Sequence, residues 1–173
     1  ATCDANFFKG LKVAVIGGGD TALEEALYLT KFAKEIIIIH RRDELRGAKI
    51  LQQPIQDSDK ISMMLSCVVE EIKGNGLVES IIVKNVVTGE VAEVPIDGVF
   101  VFVGQKPNSE PFVGLLERDA RDYLIADDEM RTNIPGIFAA GDIRRKSLRQ
   151  VVTATADGAI AAVNVIKYIE ELK

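Results

Sequence analysis

Six consecutive residues, Gly17-Gly18-Gly19-Asp20-Thr21-Ala22, have the G-x-G-x-x-A spacing that lets a backbone cradle a pyrophosphate. In such a loop Gly17 permits a tight turn, Gly19 lets the chain approach the phosphates, and Ala22 allows close helix–strand packing. The helix that opens at Asp20 and Thr21 offers unpaired N–H groups and a partial positive charge to an anion. Further on, His40-Arg41-Arg42 ends an apolar run, with Arg46 one turn beyond. An acid at that point would suit a ribose 2′-hydroxyl, whereas arginines suit a 2′-phosphate through charge-assisted, bidentate bonds. The residues therefore read as an NADPH site. His40, the only histidine, stands beside these arginines and is counted with the cofactor site, not as an acid or base. Near the start, Cys3 is followed at once by the acid Asp4.

These residues need elements to hold them. Lys12-Val13-Ala14-Val15-Ile16 reads as a buried parallel strand, and Ile36-Ile37-Ile38-Ile39 as a second. Between them Ala22, Leu23, Ala26, Leu27, Thr30 and Ala33 fall on one side of a helical pattern, opposite Glu24, Glu25, Lys31 and Lys34. That is a βαβ unit. Residues 47–56 have helical spacing through Ile50, Leu51 and Ile55, with Pro54 expected to bend or end the helix. Residues 61–65 read as a short strand. Residues 67–73, 77–84 and 91–96 read as three antiparallel strands, with Asn75-Gly76 a hairpin turn. Cys67 in the first of them reads as a buried small hydrophobe.

Residues 98–103 are apolar and β-branched, a further buried strand, before the turn Gly104-Gln105-Lys106-Pro107-Asn108. After it, residues 111–117 suggest a short helix, and residues 136–142 a strand closing on Gly141-Asp142. Arg144, Arg145 and Lys146 read as a solvated loop. Residues 149–172 form a long helix whose first half is apolar nearly all round, which calls for burial.

Composition narrows the classes. The 173 residues are 47% hydrophobic and 27% charged with a net charge of −5, ordinary globular material that points to no nucleic-acid or membrane partner. No apolar run reaches the ~20 residues of a membrane span, and no signal peptide is visible. Two cysteines fit a reducing, cytoplasmic setting, and no residues have metal-ligand spacing.

Four stretches together resemble the low-molecular-weight thioredoxin reductase family, over essentially the whole chain. Ala1-Thr2-Cys3-Asp4 resembles the tail of its Cys-Ala-Thr-Cys-Asp redox motif. The loop at residues 17–22 with residues 40–46 resembles its NADPH site. Phe102-Val103-Gly104-Gln105-Lys106-Pro107-Asn108 resembles the loop closing the NADPH domain. Gly136-Ile137-Phe138-Ala139-Ala140-Gly141-Asp142, with Arg149-Gln150-Val151, resembles its second FAD-contacting segment.

The resemblance implies an α/β fold. Residues 1–108 would be a Rossmann-like NADPH domain with a three-stranded antiparallel cover, and residues 109–173 the C-terminal segment of the FAD domain. It implies that Asp142 bonds the ribityl chain, that the amides near Gln150 and Val151 face the flavin, and that Arg149 opens the flavin-facing helix. It implies that Cys3 receives electrons from FAD and that Asp4 moves protons for the thiols. Electrons would pass from NADPH to FAD to a cysteine pair to thioredoxin or a similar small redox protein, in a homodimer.

The chain also departs from the family. Its redox motif lacks the first cysteine, Ala5 replaces a glycine, and the N-terminal FAD fingerprint is missing. The sequence is expected to be a fragment, inactive by itself. Two other readings stay open: the flavoprotein subunit of an alkyl hydroperoxide reductase, and an isolated NADPH-binding module without turnover.

Overall fold

A computed structural model describes all residues, 1–173. The chain divides into two compact units, Ala1–Gly104 and Gln105–Lys173.

In the first unit, β1 (Lys12–Ile16), α1 (Asp20–Leu29) and β2 (Glu35–Ile39) make the βαβ unit. α2 (Lys49–Gln56) then leads to β3 (Ile61–Met64). An antiparallel meander follows, β4 (Cys67–Gly74), β5 (Val78–Asn85) and β6 (Val91–Pro95), before β7 (Gly98–Val101) returns to the first sheet. That sheet is parallel throughout, in the order β3-β2-β1-β7. Its central strands are buried on both faces, as their continuous apolar sequences require. Alternate residues serve opposite layers. Val13, Val15, Ile36 and Ile38 pack under α1 with Leu23 and Leu29, while Ala14, Ile37 and Ile39 pack against Ile81 and Val83 of the meander. The meander thus covers the sheet face opposite α1.

Local expectations shift in places. α1 ends at Leu29, so Thr30 and Ala33 lie past it; Ala33 is nevertheless buried in the same core as Leu29. Pro54 sits inside α2, which runs two residues further; the carbonyl left without a donor belongs to Ile50, which is 81% exposed and not part of an inner face. β7 stops at Val101, two residues short of the expected end.

The second unit departs further. The helix expected at 111–117 is only a single 3-10 turn, Glu110–Phe112, because the chain turns extended at Val113 and left-handed at Gly114, φ +76°. The strand expected at 136–142 is absent. Phe138 makes one isolated antiparallel bridge to Arg131, and a strand needs a neighbour along its length to form a ladder. Its apolar residues are used differently: Ala139 joins a small core with Leu116 and Leu124, and Phe138 meets Tyr168 edge-on at 6.3 Å. The long helix forms as α3 (Val151–Glu171). Its apolar residues stay largely exposed, Val151 at 84%, while only Asp157 and Asn164 are buried. No helix is long and apolar enough to cross a membrane.

Candidate functional site

In the first unit the glycine loop leaves β1 and enters α1. Gly17 adopts φ +144°, and a Cβ there would lie 2.4 Å from the Phe102 carbonyl oxygen and 3.0 Å from Ala22 Cβ. Only glycine fits between strand, helix and the chain after β7. Gly19 caps α1 from an extended conformation, and a Cβ on it would point into open space. That space lies at the helix N-terminus, where the unpaired N–H groups gather.

The arginine segment is tied directly to this loop. The Arg46 and Gly47 amides donate to the Gly18 carbonyl at 2.7 and 2.9 Å. Asp20 completes the tie, its Oδ1 accepting from the Ala48 amide at 2.7 Å. Gly47 is forced by the same packing, because a Cβ would stand 2.5 Å from Leu23 Cδ1. Arg41, Arg42 and Arg46 are all exposed and enter no ion pair, while Thr21 is exposed at the start of α1. Unneutralised guanidiniums beside an open helix N-terminus are a donor set that fits a phosphorylated dinucleotide.

His40 is 7% exposed and has no partner at Nε2. Burial, then the charges of Arg42, Arg41 and Arg46, hold its pKa below the ordinary imidazole value, against a hydrogen bond to the Glu44 backbone. It is a neutral ring beneath the loop.

Cys3 and Asp4 are both exposed, in a turn that leads into the 3-10 helix Ala5–Phe8. Cys67 is a buried thiol in β4, and burial pushes its pKa up. Gly104 is exposed with φ +106°, at the end of the first unit.

The second unit brings Gly141, Asp142, Arg149, Gln150 and Val151 near one another at the start of α3. Gln150 caps the helix, and Thr153 closes a reciprocal capping box with it. Arg149 donates to the Asp142 carbonyl at 3.5 Å, and its guanidinium stacks 3.8 Å over the Tyr123 ring. The Asp142 side chain is 55% exposed, as a group that meets a ligand needs to be. An exposed carboxylate on a left-handed glycine turn, beside a helix N-terminus, is a donor and acceptor set that fits a flavin nucleotide.

One expectation fails outright. Residues 144–146 are not a solvated loop, since Arg144 and Lys146 both reach the buried carboxylate of Asp157. Only Arg145 faces solvent. Sequence reasoning passed over Gly18, Gly47, Tyr123 and Asp157. The available signal for the last was an acid alone in the apolar half of a helix. No group of His, Cys, Asp or Glu side chains is placed to hold a metal.

The sequence profile of the pyridine nucleotide-disulphide oxidoreductases matches residues 2–158. The chain belongs to the pyridine nucleotide-disulphide oxidoreductase family. Within that family it is similar to thioredoxin reductases. That of Peptoclostridium litorale is 58% identical over 178 residues, which cover 99% of this chain and 56% of the relative. That of Bacillus subtilis (strain 168) is 49% identical over 174 residues, covering 100% of this chain and 55% of the relative. The crystal structure of thioredoxin reductase from Streptococcus pyogenes superposes with a TM-score of 0.87 at 47% identity, covering 97% of this chain and 55% of that one. The chain therefore spans little more than half the length of these relatives.

Proposed function

We propose that this chain is the NADPH-binding unit and part of the FAD-binding unit of a cytoplasmic flavoprotein disulfide reductase of the thioredoxin reductase kind. The observation that carries the reading is the tie between Gly18 and the Arg46-Gly47 amides, which sets three unneutralised arginines beside an open phosphate loop. Gly17, Gly19, Asp20, Thr21 and Ala22 form the pyrophosphate cradle, and His40, Arg41, Arg42 and Arg46 the 2′-phosphate end. Gly104 turns the chain after the NADPH unit. Gly141, Asp142, Arg149, Gln150 and Val151 face FAD. Bound NADPH and FAD supply the two-electron chemistry, and the chain's residues bind and orient them. Cys3 belongs to the redox dithiol and Asp4 holds or releases its protons. Thioredoxin, or a small protein like it, is the electron acceptor of a homodimeric enzyme.

The relatives' names favour this reading over a hydroperoxide reductase subunit. The experiment compares NADPH-dependent disulfide reduction, with FAD and thioredoxin added, for the 173-residue chain and for a version extended upstream along its gene. Turnover in the longer form, abolished by Cys3→Ser, is the expected result. Equal turnover in Cys3→Ser, or NADH serving as well as NADPH, would overturn it.

A further inference from the structure

The turn that carries Gly141 and Asp142 is held from behind by one side chain of α3. Asp157 is 5% exposed, and its carboxylate accepts from four donors at once. Gly141 N lies 3.0 Å away, Arg144 Nε and Nη2 each 2.7 Å, and Lys146 Nζ 2.8 Å. Lys146 Nζ also lies 3.6 Å from Asp142 Oδ1. Two carboxylates and two cations thus form a charge-neutral group, three of them sheltered and Asp142 turned toward solvent.

Buried ion pairs are poor stabilisers, because apolar side chains of similar volume often serve as well. They do impose position, since each charge leaves its preferred geometry only at high cost in a poorly hydrated site. Here the positions imposed are specific. Gly141 holds φ +85° while its amide points at Asp157, so the contact ties the backbone of the turn to α3. Lys146 is shared, so the Asp157 carboxylate also fixes the cation that leans on Asp142. The arrangement resembles a hand holding a pointer, with Asp142 as the tip.

We propose that Asp157 is a positioning residue for the flavin nucleotide: through the Gly141 amide and Lys146 it sets where the Asp142 carboxylate meets the ribityl hydroxyls. Asp157 does not itself touch the cofactor. The inference rests on the reading that the second unit takes part in FAD binding. It assigns the acid in α3 and the basic residues of 144–146 a shared task.

The test measures FAD affinity by fluorescence, NADPH affinity in the same samples, and hydrogen exchange at the Gly141 amide. It uses the 173-residue chain and the upstream-extended version. Asp157→Asn keeps the side-chain shape and removes the charge. The expected result is FAD binding weaker by at least about tenfold, faster exchange at Gly141, and unchanged NADPH binding. A second variant, Arg144→Met with Lys146→Met and Asp157→Leu, replaces the sheltered charges together by apolar packing and leaves no buried cation unpaired. It keeps thermal stability near the parent and still binds FAD weakly, which separates positioning from folding. Parental FAD affinity in a stable Arg144→Met/Lys146→Met/Asp157→Leu protein would overturn the proposal, as would parental affinity in Asp157→Asn. Absence of FAD binding by both unmutated forms, with NADPH bound normally, would overturn the FAD reading and the proposal with it.

Discussion

His40 lies so close to Gly18 that no side chain fits between them: a Cβ on Gly18 would stand 2.6 Å from both Cγ and Nδ1 of the ring. The histidine is the floor on which the glycine loop rests. Its own burial is tolerable because the ring stays neutral, favoured by desolvation and by the three arginines nearby.

The neighbouring glycines then separate two effects. Gly18→Ala should destabilise the first unit by about 1–3 kcal/mol, since the methyl must displace a packed ring. Gly19→Ala should leave stability nearly unchanged, because its Cβ direction is open and its φ is −93°. It should nevertheless weaken NADPH binding, because the methyl occupies the approach to the phosphates. Thermal melting paired with NADPH titration checks both; equal melting points for the two variants would contradict the packing argument.

Arg41, Arg42 and Arg46 are exposed and unneutralised, so their contribution to a 2′-phosphate is screened by salt. Each contact is worth at most about 1.5–3 kcal/mol, and less in this exposed setting. Arg41→Ala/Arg42→Ala should lower the NADPH-to-NADH affinity ratio, chiefly through NADPH. The preference should also shrink as salt rises. Nucleotide titrations at two ionic strengths measure this, and an unchanged ratio would remove the 2′-phosphate assignment.

Asp157 gives the second unit an acid-sensitive element. Arg144 above all, with Lys146 and the Gly141 amide, holds its carboxyl well below the usual carboxylate range. Arg144 in turn is pushed up, by its hydrogen bonds to Asp157. Because the folded pKa lies below the unfolded one, the contribution is fully present above about pH 4 and is lost as pH falls through the folded value. Asp157→Asn should therefore cost about 3 kcal/mol at neutral pH and flatten the acid limb of the stability curve. Denaturant melts between neutral and acid pH show whether that limb flattens.

The two thiols should behave differently toward an alkylating agent. Cys3 is exposed, whereas Cys67 is buried with its pKa pushed up by desolvation, so little thiolate is available there. Native protein should be labelled at Cys3 and spared at Cys67 until denaturant is added. Peptide mapping by mass spectrometry reads the outcome, and fast native labelling of Cys67 would show that the β4 layer opens.

The chain's sequence by itself determined the elements of the first unit and the glycine loop between β1 and α1. Apolar runs rich in β-branched residues at 12–16 and 36–39, a glycine loop between them and Asn75-Gly76 in the meander are local signals, each readable within a few residues. The second unit was less legible. The apolar residues around Phe138 look like a strand, but pairing is a property of neighbours, and here Phe138 has one bridge and an aromatic contact with Tyr168. Tertiary structure likewise decided what the charges do. Arg144 and Lys146 read as solvated because lysine and arginine usually are; only folding brings Asp157 from α3 to within 2.7 and 2.8 Å of them. Arg41, Arg42 and Arg46 stay open to solvent, and no acid is folded against them. Sequence spacing places a charge on the chain, but whether it is neutralised or left for a ligand depends on what the fold sets opposite it.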